Sequence, residues 1–136
     1  MDLRTQFIEE FGNLSKRIQN NTVQGKIQMF FRLENTKEIS RKDLAEALEI
    51  TEGSLENAME NFLLYGVVEE KGSTYIYKGY PPEFKDLVAM LSERKMKLQE
   101  SVNTLKKMTD TAEKEGQSVE EFRRVIEDIK HDFGLE

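Results

Sequence analysis

The sequence predicts a mainly α-helical fold with one small β-hairpin, and three observations lead there. Apolar residues recur at spacings of three and four over most of the chain, the signature of helices that bury one face. One stretch, Val67 to Lys78, breaks that rhythm with β-branched and aromatic residues on either side of Lys71-Gly72-Ser73. The composition is 34% charged and 38% apolar over 136 residues, with eight Phe and four Tyr, which suits one modest core under solvated helical faces rather than a disordered chain.

The first helix is marked by Leu3, Phe7, Phe11, Leu14 and Ile18, with Ile8 beside them, and Asn20-Asn21 ends it. Thr22 is the expected N-cap of a second helix that is nearly all core, through Val23, Ile27, Phe30, Phe31 and Leu33. Asn35 to Ile39 reads as a loop. Ser40 caps a short third helix, with Asp43 in capping-box position and Leu44, Ala45 and Leu48 facing inward. Glu49-Ile50 turns the chain, and Thr51 caps a fourth helix that runs to Tyr65. Its inward residues are Leu55, Ala58, Met59, Phe62 and Leu63, and Gly66 stands where a left-handed residue is expected after the helix. Two helices of about eight and fourteen residues joined by a tight turn make a helix-turn-helix, and the hairpin that follows makes a short wing.

Gly79-Tyr80-Pro81-Pro82 stops the hairpin, because two prolines cannot extend a strand ladder but can open a helix. A long helix is predicted from about Glu83 to Lys114. Phe84, Leu91, Leu98, Leu105 and Ala112 lie seven apart along it, and Val88, Lys95, Val102 and Thr109 follow the first four of these by four. Leucine at d and valine at a favour a parallel pair of helices, and Lys95 at an a position sets register. A second copy and the chain's own first helix are the two candidate partners for this seam. A rod of about 48 Å, at about 1.5 Å per residue, is long for so small a domain to cover, which favours pairing between chains. After Gly116, Ser118 and Glu121 suggest a capping box, and Val119, Phe122, Val125, Ile126, Ile129 and Phe133 line one side of a last helix ending at Gly134. The expected organisation is an N-terminal supporting helix over 1–21, a winged helix-turn-helix over 22–80, and a helical dimerisation segment over 81–136.

Charge is unevenly placed. Residues 1–50 carry eight basic and eight acidic side chains and residues 81–115 seven of each, so the net charge of −6 comes from 51–80 and 116–136, at −3 each. Half of the acid excess therefore lies in the fourth helix and wing, where Glu52, Glu56 and Glu60 are the only charged residues of the helix. The absence of Cys excludes disulfides, thiol catalysis and thiolate metal sites. No Gly-rich phosphate loop, nucleophile elbow or metal-ligand cluster is present, and the single histidine, His131, fits the cationic end of a helix. Neither an enzyme nor a cofactor-bound or metal-bound protein is expected. With no apolar run long enough to span a bilayer and no charged-then-apolar leader, no membrane association is expected, and the expected compartment is the cytoplasm.

Several segments together resemble winged-helix transcriptional regulators of the MarR superfamily, especially the GbsR-like branch. They are Gln6-Phe-Ile-Glu-Glu-Phe-Gly-Asn-Leu14, Val23-Gln-Gly-Lys-Ile27, Asp43-Leu-Ala-Glu-Ala-Leu48, Thr51-Glu-Gly-Ser54 and Tyr65-Gly-Val-Val68. The resemblance spans roughly residues 5–80 in sequence and reaches 136 in layout. It implies a homodimeric, repressor-like regulator whose N- and C-terminal helices pair while two winged units straddle adjacent major grooves. The candidate dimerisation residues are then Phe7 and Phe11; Phe84, Val88, Leu91, Lys95, Leu98, Val102 and Leu105; and Phe122, Ile126 and Ile129. This chain departs from the family at the reading helix, which carries Glu where DNA-binding members usually carry Lys or Arg.

Stepping about 100° per residue from the buried side, the outward face of the fourth helix presents Gly53, Asn57, Glu60 and Leu64, flanked by Glu56 and Asn61. Asn57 and Asn61 are suited to adenine, and a glutamate can accept from cytosine N4. Phosphate contacts are expected from Arg41 and Lys42, from Lys71 and Lys78 in the wing, and from Thr51 and Ser54 at the helix N-terminus. Glu52 favours the positive end of the helix dipole, while Glu56 and Glu60 have no such local reason. Tyr65, Tyr75, Tyr77 and Tyr80 either line a ligand pocket or fill the core under the wing. Two functions follow: a dimeric regulator that binds double-stranded DNA, weakened by its acidic helix, or an interaction module whose acidic helix docks on a basic protein partner.

Overall fold

The structure, a computed structural model, describes residues 2–34 and 37–136. In chain order its elements are α1 (Leu3–Gln19), α2 (Thr22–Leu33), β1 (Glu38–Ser40), α3 (Arg41–Ala47), α4 (Glu52–Leu64), β2 (Val68–Lys71), β3 (Thr74–Tyr77), α5 (Phe84–Ala89), α6 (Ser92–Lys114) and α7 (Glu120–Phe133). The expected mainly helical fold with a small β element is what forms. None of the described helices is long and apolar enough to cross a membrane.

The caps fall close to their expected places. Ser40 Oγ accepts the Asp43 N–H at 3.1 Å and Thr51 Oγ1 accepts the Ser54 N–H at 3.1 Å, so α3 and α4 begin where the sequence places them. Gly66, at φ 75°, takes the left-handed position after α4. Two caps differ. Asn21, not Thr22, caps α2 by accepting the Gln24 N–H at 3.2 Å. The Ser118 capping box does not form: Val119 occupies the N-cap position and is buried in the core, leaving Ser118 exposed one residue outside the helix.

The hairpin is part of a three-stranded antiparallel sheet of order β1-β3-β2. Of the loop expected over Asn35 to Ile39, Asn35 and Thr36 lie outside the described residues, and Glu38–Ser40 forms a strand instead. Ile39 pairs with Tyr75 and Ser40 with Thr74. The ladder is extended at both ends, where Tyr77 N–H donates to Lys37 O at 2.7 Å and Arg41 N–H donates to Ser73 O at 2.8 Å. A three-residue strand with one apolar side chain has no periodicity to read. It exists because β3 offers an open edge whose backbone groups need partners.

The largest departure is in the long helix, which is two helices. Between α5 and α6 the chain leaves helical geometry at Leu91 (φ −115°, ψ 70°). No proline or glycine marks the place. Across the bend both helices pack on α7, and α6 packs on α1 as well. Phe84 on α5 packs on Tyr80 and Phe133 with ring centroids 4.8 and 5.8 Å away, while Leu98, Val102 and Leu105 on α6 join Phe7 and Phe11 of α1 in one buried cluster. The faces expected to pair between chains are thus closed largely within this one, where Val88, Leu98, Val102, Leu105, Ile126 and Ile129 are all buried and Phe84, Lys95 and Phe122 are partly so. Leu91 stays exposed.

Helix α2 belongs to two cores at once. Met29 and Leu33 face α1, α6 and α7, whereas Ile27, Phe30 and Phe31 face α3, α4 and the sheet. It lies so close to α1 that a Cβ at Gly25 would sit 1.8 Å from Phe11 O, which restricts that position to glycine. Ser15 completes the crossing by accepting the Gly25 N–H at 2.9 Å.

Arg32, at 4% exposure, is the buried charge of this junction. Its Nη1 lies 2.8 Å from Asp132 Oδ2, its Nε donates to Gln28 Oε1 at 3.3 Å, and its guanidinium carbon is 5.5 Å from the ring centroids of both Tyr80 and Phe133. Asp132→Ala should leave that cation without its counter-charge and cost about 3 kcal/mol, the low end of the range for breaking buried pairs because the carboxylate is partly solvated. Arg32→Met should cost much less. Urea unfolding of the two variants checks this, and equal losses would sink it.

Burial pushes the phenols of Tyr75, Tyr77 and Tyr80 above their usual value of 10.0. Above pH 10 the unfolded chain loses these protons first, so the folded state binds more protons than the unfolded one and stability falls as pH rises. Below that pH the contribution is intact. The urea midpoint should therefore drop between about pH 9 and about pH 11, with the phenolate absorbance of these three rings, read in a Tyr65→Phe background, rising only as the protein unfolds; a flat midpoint would count against burial of these rings.

Candidate nucleic-acid interface

The turn from α3 to α4 occupies four residues, Leu48 to Thr51, and Glu49 adopts φ 56° within it. Leu44 and Ala45 of α3, Leu48 at the start of the turn, and Leu55, Ala58, Met59 and Phe62 of α4 bury their sides against Ile27, Phe30 and Phe31. The opposite side of α4 is left in solvent. Gly53, Ser54, Asn57, Glu60 and Leu64 are all exposed there, as the 3.6-residue period predicts. Beside them stand the start of α3, with Lys42 exposed, and the hairpin turn, with Lys71 exposed.

Arg41 does not point freely outward. Its Nη2 donates to Glu70 Oε2 on β2 at 2.7 Å and its Nη1 lies 3.1 Å from Glu56 Oε1 on α4. Its guanidinium carbon sits 5.8 Å from the Tyr75 ring centroid, and its Nε is enclosed without a hydrogen-bond partner. The hydrogen bond to Glu70 and the contact with Tyr75 hold the guanidinium even more firmly protonated than usual. One cation at the first residue of α3 thus ties α3, α4 and the sheet together. Glu56, which has no reason in its own helix, has one here.

The other expected contacts divide. Lys78 Nζ lies 3.4 Å from Glu69 Oε2, which turns it toward the hairpin's own acid. Thr51 and Ser54 are joined to each other, hydroxyl to hydroxyl at 3.0 Å in addition to the cap. Asn57 is exposed on the open face, whereas Asn61 lies on the rim of a cleft on the far side of α4. Lys42 and Lys71 form no ion pair among the described residues. Four cations, Arg41, Lys42, Lys71 and Lys78, therefore share this surface with five carboxylates, Glu52, Glu56, Glu60, Glu69 and Glu70, and two of the four are neutralised within the chain.

The cleft holds about 580 Å³ between α1, α2, the end of α4 and the α5–α6 corner. Tyr65 and Tyr80 line it, but Tyr75 and Tyr77 do not: Tyr75 is fully buried and Tyr77 stacks on Phe31 at 5.2 Å and 11°. The core alternative holds for those two. No protein-family model matches this sequence, and no curated protein matches it.

Sequence reading missed the Arg41–Glu56–Glu70 bridge, because the two carboxylates are 15 and 29 residues from Arg41 and only the packing of α4 and the sheet beside α3 brings them together. It also passed over Arg32, whose signal was a lone cation inside the apolar run from Met29 to Leu33. Arg41→Ala should speed amide exchange in β2 and β3 by about fivefold, the size expected for a surface ion-pair network, without changing α7. Unchanged protection of the hairpin would refute the bridge.

Proposed function

We propose that this chain is a DNA-binding transcriptional regulator of the winged-helix kind, acting as a homodimer in the manner of a repressor. The observation that carries this reading is the open face of α4: Gly53, Ser54 and Asn57 stand exposed beside Lys42 and Lys71, with none of the described residues covering them. In this reading α4 lies in the major groove, Asn57 reads a base edge, and Lys42 and Lys71 meet phosphates on either side. A pair of such heads about 34 Å apart doubles a contact set that is weak singly. The acid on the surface sets the strength. Phosphate neutralisation supplies most non-specific affinity, so an interface with two unpaired lysines per head binds weakly and loses binding quickly as salt rises.

A second reading rests on the same carboxylates. Glu52 and Glu60 are exposed and form no ion pair among the described residues, and with Glu56 and Glu69 they give α4 and the hairpin a surface suited to a basic protein segment.

Fluorescence anisotropy with duplex DNA from upstream regions, titrated at about 50 to 200 mM salt, separates the two. Glu56→Gln with Glu70→Gln should release Arg41, tighten binding several-fold at low salt and steepen the salt slope by about 0.9 for each phosphate gained. Lys71→Ala should reduce the slope by about one, and Asn57→Ala should relax sequence preference. No binding by either the wild type or the double variant at the lowest salt, together with binding to a lysine-rich peptide, would replace the first reading by the second.

A further inference from the structure

The three carboxylates of α4 differ in what they are free to do. Glu56 is committed to Arg41, with its Oε1 3.1 Å from the guanidinium Nη1. Glu52 lies in the first turn, where it meets the positive end of the helix dipole, and at about 100° per residue it stands about 140° round the helix from Asn57. Glu60 is about 60° from Asn57 on the same count, which puts both on the open face. It is exposed and forms neither an ion pair nor a hydrogen bond among the described residues. The other polar groups of the helix are turned elsewhere: Ser54 is joined to Thr51, and Asn61 lies on the rim of the cleft. The helix also carries no Arg or Lys, so no side chain on it can make the bidentate contact to guanine O6 and N7. Asn57 and Glu60 are what remains to read with.

We infer that Glu60 is a specificity-determining residue of this head and that the base it selects is cytosine. The inference rests on the DNA-binding reading above. A carboxylate can only accept. In the major groove guanine presents O6 and N7 and thymine O4, so opposite either base the carboxylate is an unpaired charge facing acceptors. Adenine offers its N6 donor but sets N7 beside it, whereas cytosine offers the N4 donor and no acceptor of its own. Glu60 thus selects less by attraction than by rejecting the other three bases. That gives acid a use on a surface that phosphate repels: it lowers affinity for every duplex, and least for one with cytosine in register. Asn57 and Glu60 are three residues apart, about 4.5 Å along the axis and comparable with the ~3.4 Å step between base pairs. The adenine suited to Asn57 and the cytosine selected by Glu60 therefore fall in neighbouring base pairs.

A pool of duplexes with a randomised core, selected on the purified protein at about 50 mM salt and sequenced, should return a position fixed as cytosine beside one fixed as adenine. Selection on Glu60→Gln should replace that cytosine by adenine, which glutamine reads, and leave the neighbour unchanged. Asn57→Ala should relax the neighbour and keep the cytosine. On the best wild-type duplex, N4-methylcytosine at the selected position blocks the groove-side hydrogen, so it should weaken the wild type about tenfold and leave Glu60→Ala unaffected. Both side chains are exposed, so the variants should keep the helical circular dichroism of the wild type. Cytosine selected equally by the wild type and Glu60→Ala, or a Glu60→Gln protein that binds every duplex more tightly by the same factor, makes Glu60 a repelling surface charge and nothing more. Either result overturns the inference and leaves the DNA reading standing. Retention of no duplex by the wild type and Glu60→Gln alike rejects the DNA reading, and the inference falls with it.

Discussion

Helix α2 and the cation it carries hold the two halves of the molecule in one arrangement. A guanidinium taken out of water is costly unless its partners are fixed, so Arg32 stabilises the fold only while Asp132, Gln28 and the rings of Tyr80 and Phe133 keep their places. Those partners come from α2, from α7 and from the segment joining the sheet to α5. Movement of the sheet-bearing half against the α1–α6–α7 half would expose or strand the charge. The close crossing of α1 and α2 at Gly25 adds a steric constraint to the electrostatic one.

Acid on the surface of α4 acquires two distinct meanings. Glu56 is structural, being one of two carboxylates that hold Arg41 across three elements. Glu60 forms no ion pair among the described residues and faces outward on the open side of α4. Residues of one charge at consecutive turns of one helix thus serve different ends, decided by what the fold places opposite them. In the proposed regulator the consequence is a reading surface that neutralises half its own cations and depends on pairing and low salt for affinity.

The seam of α6 shows how a correct pattern can be assigned the wrong neighbour. Leu98, Val102 and Leu105 do form an apolar stripe with the predicted spacing, and it is buried. Spacing along one helix reports that a face is covered and cannot report by what, because the same stripe satisfies a helix of another copy or of the same chain. The break at Leu91 was equally invisible, since no glycine or proline is used where the backbone leaves helical geometry. Ser118 failed as a cap for the same kind of reason: Val119 gains more by burial than the helix gains from a hydroxyl at its first turn.

By itself the sequence determined what depends on neighbours a few residues apart. The helices from α1 to α4, the Ser40 and Thr51 caps, the left-handed Gly66, the hairpin turn at Lys71 to Ser73, and which faces are apolar all follow from local backbone preference and the 3.6- and 2-residue periods. Tertiary structure alone decided the third strand at Glu38–Ser40, the carboxylates on Arg41, the burial of Arg32 and the corner at Leu91. Each of these depends on groups that are distant in sequence, and their energies arise only when the chain's long-range contacts bring them within a few ångströms of one another.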